Sequence, residues 1–548
     1  MAETLLDIRN LSVPLPPGAE RPFAVEGLTL SVAKGEILCI VGETGSGKSL
    51  TAMAAMGLLP TALPPPAGSI TFEGAEMIGM PEAARRRITG RRMAMIFQEP
   101  IAVLNPVYRV GKQVAEVFKL HTTLGKAEIN DRVIRLFEEV RLPNPAEIIR
   151  SYPHQLSGGQ CQRVMIASAL ALDPALLIAD EPTTALDVTT QAQILKLMLD
   201  LRDTHGTGVL FITHDFGVVA EIADRVAVMR HGKLVEMGTA HEVLNRPQAD
   251  YTKQLLAAVP KLVPRAARPS TRPAEEAPAL EARQIARTFE GGGMFGRGRT
   301  VKAVDNVDVT IRRGETLGLV GESGSGKSTL AQCVIRLEEP DRGDVTISGG
   351  AFTGLKGADL RAARRRVQIV FQDPYTALDP RQAVGAAIAE GPIIHGLAPQ
   401  AARARALELI AAVGLDPSAA DRFPHEFSGG QRQRICIARA LAVEPELLIA
   451  DESVSALDVS VQAQVLDLLA DMQQRLGFGM LFITHDLRVA SRICDRIAVM
   501  RGGKIVEIGE PVTLFSNPQQ DYTRALLAAV PGRDWQNPTP QESTPTGE

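Results

Sequence analysis

One plan is written twice in this chain, and that doubling limits its architecture more than any other feature. GETGSGKS begins at Gly42 and GESGSGKS at Gly321. LSGGQ begins at Leu156 and FSGGQ at Phe427. LLIADEP ends at Pro182 and LLIADES at Ser453, while FITHD closes at Asp215 and again at Asp486. DYTKQLLAAVP closes at Pro260 and DYTRALLAAVP at Pro531. Lys48 and Lys327 lie 279 residues apart, and both Asp180 to Asp451 and His214 to His485 span 271. So long a period excludes a solenoid of small repeats and implies two whole domains. At 548 residues the chain can bury two sizeable cores. The first domain is expected over 1–260 and the second over 280–531. Pro264, Pro269, Pro273 and Pro278 mark a linker over 261–279, and 532–548 reads as a polar, disordered tail.

Composition removes several classes. The chain is 45% hydrophobic and 22% charged, as in ordinary soluble domains. A net charge of −4 argues against a nucleic-acid partner. Cys39, Cys161, Cys333, Cys436 and Cys494 are scattered and form no CxxC pair, so neither a disulfide framework nor a zinc cluster is expected. Cys161 reads as a small packed thiol. No secretory signal is visible at Met1–Asn10. The uncharged run Ser49–Phe72 is long enough to span a bilayer, but Pro60, Pro64, Pro65 and Pro66 would break a helix there. Its counterpart carries Arg336, Glu338, Glu339 and Asp341. Any membrane contact is therefore expected through a partner. The Arg85–Arg87 and Arg364–Arg366 runs read as solvated faces.

Phosphate chemistry is written into each half. A short apolar run, Glu36–Val41, leads into Gly42, Glu43, Thr44, Gly45, Ser46, Gly47, Lys48 and Ser49, and a helical pattern follows. Strand, glycine-rich loop and helix form the context of a P-loop, whose backbone N–H groups close on phosphate oxygens at a helix N-terminus. Lys48 suits the β- and γ-phosphates and Ser49 suits Mg²⁺. Gly321, Glu322, Ser323, Gly324, Ser325, Gly326, Lys327, Ser328 and Thr329 repeat the loop.

Two acids end a buried-strand pattern in each half, Asp180-Glu181 and Asp451-Glu452. Such strands deliver their carboxylates to the ligand-binding edge of an α/β sheet. The aspartates suit Mg²⁺ coordination, and the glutamates suit polarising an attacking water. Ser157, Gly158, Gly159 and Gln160 precede another helical pattern. With Ser157 as N-cap and two glycines permitting close approach, this is a second anion-binding device. Ser428, Gly429, Gly430 and Gln431 repeat it. His214 and His485 end apolar strands at one offset from the acids, which points to a γ-phosphate contact.

These residues together resemble the ATP-binding-cassette (ABC) family over nearly the whole chain. The resemblance also picks out glutamine loops at Gln98 and Gln372, which that family places near the metal, and D-loops at Ala185-Leu186-Asp187 and Ala456-Leu457-Asp458. It implies an α/β fold: two tandem P-loop NTPase domains, each with a RecA-like core, an antiparallel β subdomain and a helical signature subdomain. It further implies ATP and Mg²⁺ as cofactors and head-to-tail pairing, with Lys48 and Ser428 sharing one nucleotide and Lys327 and Ser157 the other. A narrower match is to peptide-importer ATPases, through Gln98–Pro106, Gln372–Pro380 and the DYT closing runs. A fused pair of this kind is similar to the Yej-type (microcin C-type) and glutathione importers. That implies two transmembrane permease subunits, a solute-binding protein and a peripheral place on the cytoplasmic face of the inner membrane.

Departures from the family pattern matter too. The segments that directly follow Pro260 and Pro531 contain no cysteine, so no iron–sulfur cluster is expected. Phe289 is the expected adenine-stacking ring of the second domain. The first has Leu15 at that place, with Phe23 as a substitute. Phe427 replaces the signature leucine. A soluble tandem cassette acting on ribosomes or nucleic acid, and an export motor, are the alternative readings. The first would carry a long charged linker or zinc modules, which this sequence lacks.

Overall fold

The computed structural model describes residues 3–19, 21–183, 186–262, 276–290, 300–455, 457–533 and 535, and statements of structure concern these. Most of the expected linker and tail, together with Ala185 and Ala456 of the D-loops, lies outside them. The chain divides into two units, Met1–Val259 with Ala529–Glu548, and Pro260–Ala528.

In the first unit, five-residue apolar runs become strands buried on both faces: Ile37–Val41, Leu176–Asp180 and Gly208–Ile212. Runs with no polar face can be satisfied only inside a parallel sheet covered on both sides. The six-stranded sheet runs Lys233–Thr239, Arg225–Arg230, Ile37–Val41, Gly208–Ile212, Leu176–Asp180, Met93–Ile96. Only its first pair is antiparallel. A separate antiparallel sheet pairs Thr4–Pro14 with Phe23–Ala33 on one side and Ala67–Phe72 on the other. Between the two sheets lies the helix Lys48–Met56, whose Ala52, Ala55 and Met56 join one core with Leu6, Ile8, Ile40 and Ile212. Alanines on that face let the helix approach both sheets closely.

A helical subdomain follows. Val114 and Phe118 of Val110–His121 and Val133 and Phe137 of Lys126–Glu139 are buried where these helices meet Gly158–Leu170. The second unit repeats the plan. Its six-stranded order is Val367–Val370, Leu447–Asp451, Gly479–Thr484, Thr316–Val320, Arg496–Arg501, Lys504–Gly509. Its antiparallel sheet runs Thr300–Ile311, Leu280–Glu290, Arg342–Ile347, Gly350–Ala351. The α/β architecture with two β subdomains and two helical subdomains is the one that the family resemblance implies.

The uncharged run Ser49–Phe72 does not form one helix. Gly57 ends the first helix in a left-handed conformation, and Ala67–Phe72 is a strand. Among the described residues no helix is long and apolar enough to cross a membrane. The arginine runs divide. The helix Glu82–Ile88 buries no residue, and Arg86 pairs with Glu82 at its surface. Arg366 instead ties strands together, reaching Glu446 at 3.0 Å and the Ser348 carbonyl at 3.2 Å. The solvated reading thus fits the first run and fails for Arg366. Cys161 is 1% exposed, and burial pushes its thiol up, as suits a packing residue.

Phe482 is fully buried at the centre of the second parallel sheet. Phe482→Ala should destabilise the second unit by about 3–5 kcal/mol, because the cavity cannot fully collapse. Chemical denaturation followed by fluorescence and circular dichroism would measure this.

Candidate active site

Each P-loop takes its shape from two glycines. At Gly42, with φ 150°, an added Cβ would lie 2.2 Å from the Met229 carbonyl. At Gly47, with φ 101°, it would lie 2.6 Å from the Ala24 carbonyl. Gly321 and Gly326 meet the Met500 and Ala303 carbonyls in the same way. The chain can thus turn into the helices Lys48–Met56 and Lys327–Val334 only without side chains at these places. Neither helix has a side-chain cap or an acid in its first turn. By contrast, Ser157 and Ser428 cap their helices and form capping boxes with Gln160 and Gln431. Uncapped N–H groups behind a loop closed against side chains suit a nucleotide phosphate.

Lys48 is 6% exposed, and its Nζ donates to the carbonyls of Gly42 at 2.7 Å and Glu43 at 3.0 Å. Lys327 does the same to Gly321 and Glu322, both at 2.9 Å. Ser49 Oγ donates to Asp180 Oδ1 at 3.1 Å, and Ser328 Oγ to Asp451 Oδ1 at 3.2 Å. Burial pushes Asp180 up to about 6, with the Glu181 charge adding to it and the Ser49 hydrogen bond and Lys48 opposing it. Asp451 is raised for the same reasons.

The two acids of each pair serve different neighbours. Glu181 accepts from Gln98 Nε2 at 2.9 Å and lies 3.3 Å from His214 Nδ1. Glu452 accepts from Gln372 Nε2 at 2.9 Å and lies 3.5 Å from His485 Nδ1. Both glutamates adopt positive φ, 47° and 45°, while their N–H groups still pair with the adjacent strand at Ile212 and Ile483. A left-handed glutamate is strained. Here it turns the chain between two consecutive carboxylates. The expected P-loop, acid, glutamine and histidine residues therefore meet at one sheet edge in each unit. Gln98 and Gln372 face the glutamates rather than the Ser–Asp pairs. The signature residues lie apart, at the starts of the helices Gly158–Leu170 and Gly429–Leu441, with Ser157 and Ser428 exposed.

The residues expected beside adenine are less alike. Phe289 is 40% exposed, with the Arg287 guanidinium 5.0 Å from its ring centre. Leu15 packs against the core, and Phe23 is half-buried in the strand Phe23–Ala33. Arg21, which sequence reasoning missed, donates to the Gly45 carbonyl of the P-loop. No motif signals it, because the contact exists only once the hairpin folds over the loop. The place of Cys161, whose Sγ lies 3.5 Å from the Pro153 carbonyl, is taken in the second unit by Arg432. Arg432 Nε donates to the Pro424 carbonyl at 2.6 Å, and its guanidinium stacks 3.8 Å from the Tyr375 ring centre.

Two P-loops, each backed by an acid pair and a histidine at one sheet edge, define a tandem P-loop ATPase. The chain belongs to the ABC transporter family, whose profile matches residues 25–184 and 304–455. A second profile, the oligopeptide/dipeptide transporter C-terminal region, matches 235–291 and 506–546. The chain is 47% identical to the peptidoglycan transport ATP-binding protein YejF of Agrobacterium fabrum, over 96% of each chain. It is likewise 47% identical to the glutathione import ATP-binding protein GsiA of Escherichia coli, over 98% of this chain and 92% of that one. Among solved structures, the dimeric MJ0796 bacterial ABC transporter cassette aligns at 29% identity and TM-score 0.39, covering 42% of this chain and 98% of that one. The chain is accordingly a nucleotide-binding protein and an ATPase.

In the second unit, burial opposes the charged forms of both Glu452 and His485. Their hydrogen bond and mutual attraction outweigh it, lowering Glu452 and raising His485. The raised histidine contributes fully below 6.5 and loses its contribution as pH rises through its folded value. The lowered glutamate contributes fully above 4.5 and loses its contribution as pH falls through its folded value. The charged pair therefore contributes most between these values. In nucleotide-free protein His485 should titrate above 6.5, and Glu452→Gln should bring it down, as read by NMR of histidine-labelled protein.

Proposed function

We propose that this chain is the motor of an importer, hydrolysing ATP to drive uptake of peptides or peptide-like solutes through separate permease subunits. The observation that carries this reading is the pairing of an ABC transporter match with an oligopeptide/dipeptide transporter C-terminal region in each half. The names of YejF and GsiA agree with transport of peptide-like cargo by those proteins. The partners would be two transmembrane permeases and a solute-binding protein. The chain would sit on the cytoplasmic face of the inner membrane, held there by the permeases.

Within each site, Ser49 with Asp180, and Ser328 with Asp451, would hold Mg²⁺. The donors are hard oxygens, and no group of three His, Cys, Asp or Glu stands ready as a cage among the described residues. This suits an ion that also uses phosphate oxygens and water. The bound ion would neutralise phosphate charge. Gln98 and Gln372 would reach it by leaving the glutamates they now contact. Lys48 and Lys327 would exchange their loop carbonyls for phosphate oxygens. Glu181 and Glu452 would orient the attacking water, each steadied by its histidine. Phe289 would stack on adenine. The exposed Ser157 and Ser428, each beside a glycine with open space around it, suit a phosphate brought by the opposite cassette, in head-to-tail pairing.

Glu181→Gln combined with Glu452→Gln should keep ATP binding and lose steady-state turnover by about 10²-fold or more. Unchanged turnover would remove the glutamates from the chemistry. Ser428→Arg should impair nucleotide trapping at Lys48, and undiminished trapping there would rule out the shared sites. For transport, the chain should co-purify from membranes with permeases. ATP-loaded vesicles carrying that complex should accumulate labelled peptide, and the double glutamine variant should not.

A further inference from the structure

The closing run of each half, Asp250-Tyr251-Thr252 and Asp521-Tyr522-Thr523, has no part in the chemistry above. It begins the helices Asp250–Ala258 and Asp521–Ala528. Both tyrosines are buried, and both hydroxyls reach the first turn of a P-loop. The Glu43 N–H donates to Tyr251 Oη at 3.4 Å, and the Glu322 N–H to Tyr522 Oη at 3.2 Å. The carbonyls of these same glutamates receive the P-loop lysines. One residue in each loop thus links the lysine to the closing helix through its own main chain.

Other contacts hold the tyrosines in place. The Arg230 guanidinium stacks 4.6 Å from the Tyr251 ring centre, and Arg501 4.7 Å from that of Tyr522. Arg230 follows Met229, the residue whose carbonyl leaves no room for a side chain at Gly42. The helix starts are pinned as well. Glu236 accepts the N–H groups of Gln248 and Ala249, and Glu507 those of Gln519 and Gln520. Burial, reinforced by the Glu43 carboxylate, pushes Tyr251 up to about 12, so its hydroxyl keeps its proton. The arrangement occurs twice, in two units whose sequences have diverged elsewhere.

We propose that Tyr251 and Tyr522 are positioning residues for ATP: each holds the P-loop residue that seats the phosphate-binding lysine. The peptide-transporter C-terminal region thereby becomes part of the nucleotide site. This rests on the P-loops being the ATP sites. Tyr→Phe keeps the ring and its arginine but leaves the glutamate N–H without its hydroxyl partner.

The test uses the full chain, with a fluorescent ATP analogue for binding and phosphate release for turnover. Tyr251→Phe with Tyr522→Phe should raise the KM for ATP and the analogue Kd by roughly three- to tenfold, the scale of one hydrogen bond. The value of kcat should change less than twofold, and the melting temperature little. Leu255→Ala with Leu526→Ala removes buried apolar contacts of the same helices. It should lower the melting temperature and leave KM unchanged. An unchanged KM in the tyrosine variant would overturn the proposal, as would an equal KM shift in the leucine variant. A wild-type chain that bound no analogue would overturn the ATP-site reading itself.

Discussion

A buried lysine at the first turn of a helix is the constraint around which each unit is arranged. An ammonium group removed from water must be surrounded by acceptors. Lys48 and Lys327 find them in the carbonyls of their own loops. That arrangement closes the loop, which in turn demands glycines where Gly42 and Gly47 meet neighbouring carbonyls. It also leaves the helix N-terminus uncapped and pointing into the space that phosphates would take. The flanking strands, buried on both faces, hold this edge rigid.

The second constraint is the strained glutamate. Two consecutive carboxylates on a regular strand would point to opposite faces of the sheet. A left-handed residue breaks that alternation, so Asp180 meets Ser49 while Glu181 meets Gln98 and His214. The same geometry recurs at Asp451 and Glu452. Strain of this kind persists only where neighbours determine the conformation. Here the ladder bonds from the glutamate N–H groups to Ile212 and Ile483 do so.

The two halves are alike in chemistry and unlike at their margins. Arg432 links the second signature helix to Tyr375 of the glutamine-loop segment, whereas Cys161 fills the matching place with a small buried thiol. Arg21 leans on the first P-loop, whereas in the second unit Phe289 is exposed beside the Arg287 guanidinium. The P-loop lysines, acid pairs, glutamines and histidines are therefore the same in both units, while the groups that surround them differ. Charge and hydrogen-bond geometry restrict the former, while packing volume can be met by several side chains.

By itself the sequence determined the doubling, the α/β class and the groups at the sheet edge, apart from Gln98 and Gln372, which the family resemblance supplied. These depend on local patterns: apolar runs of strand length, glycines at fixed offsets and acids that end strands. It did not reveal that Gln98 and Gln372 would face the glutamates, that those glutamates would be left-handed, or that Arg366 would tie strands together. Nor did it show that the DYT tyrosines would touch the P-loops some 200 residues away. Such contacts are set by where distant segments come to rest once the sheets and helices have packed. The periodicity of any one segment carries no record of them. Only the tertiary structure brings the closing helix of each half against its P-loop, because the contact joins a side-chain hydroxyl to a main-chain N–H that no local pattern links.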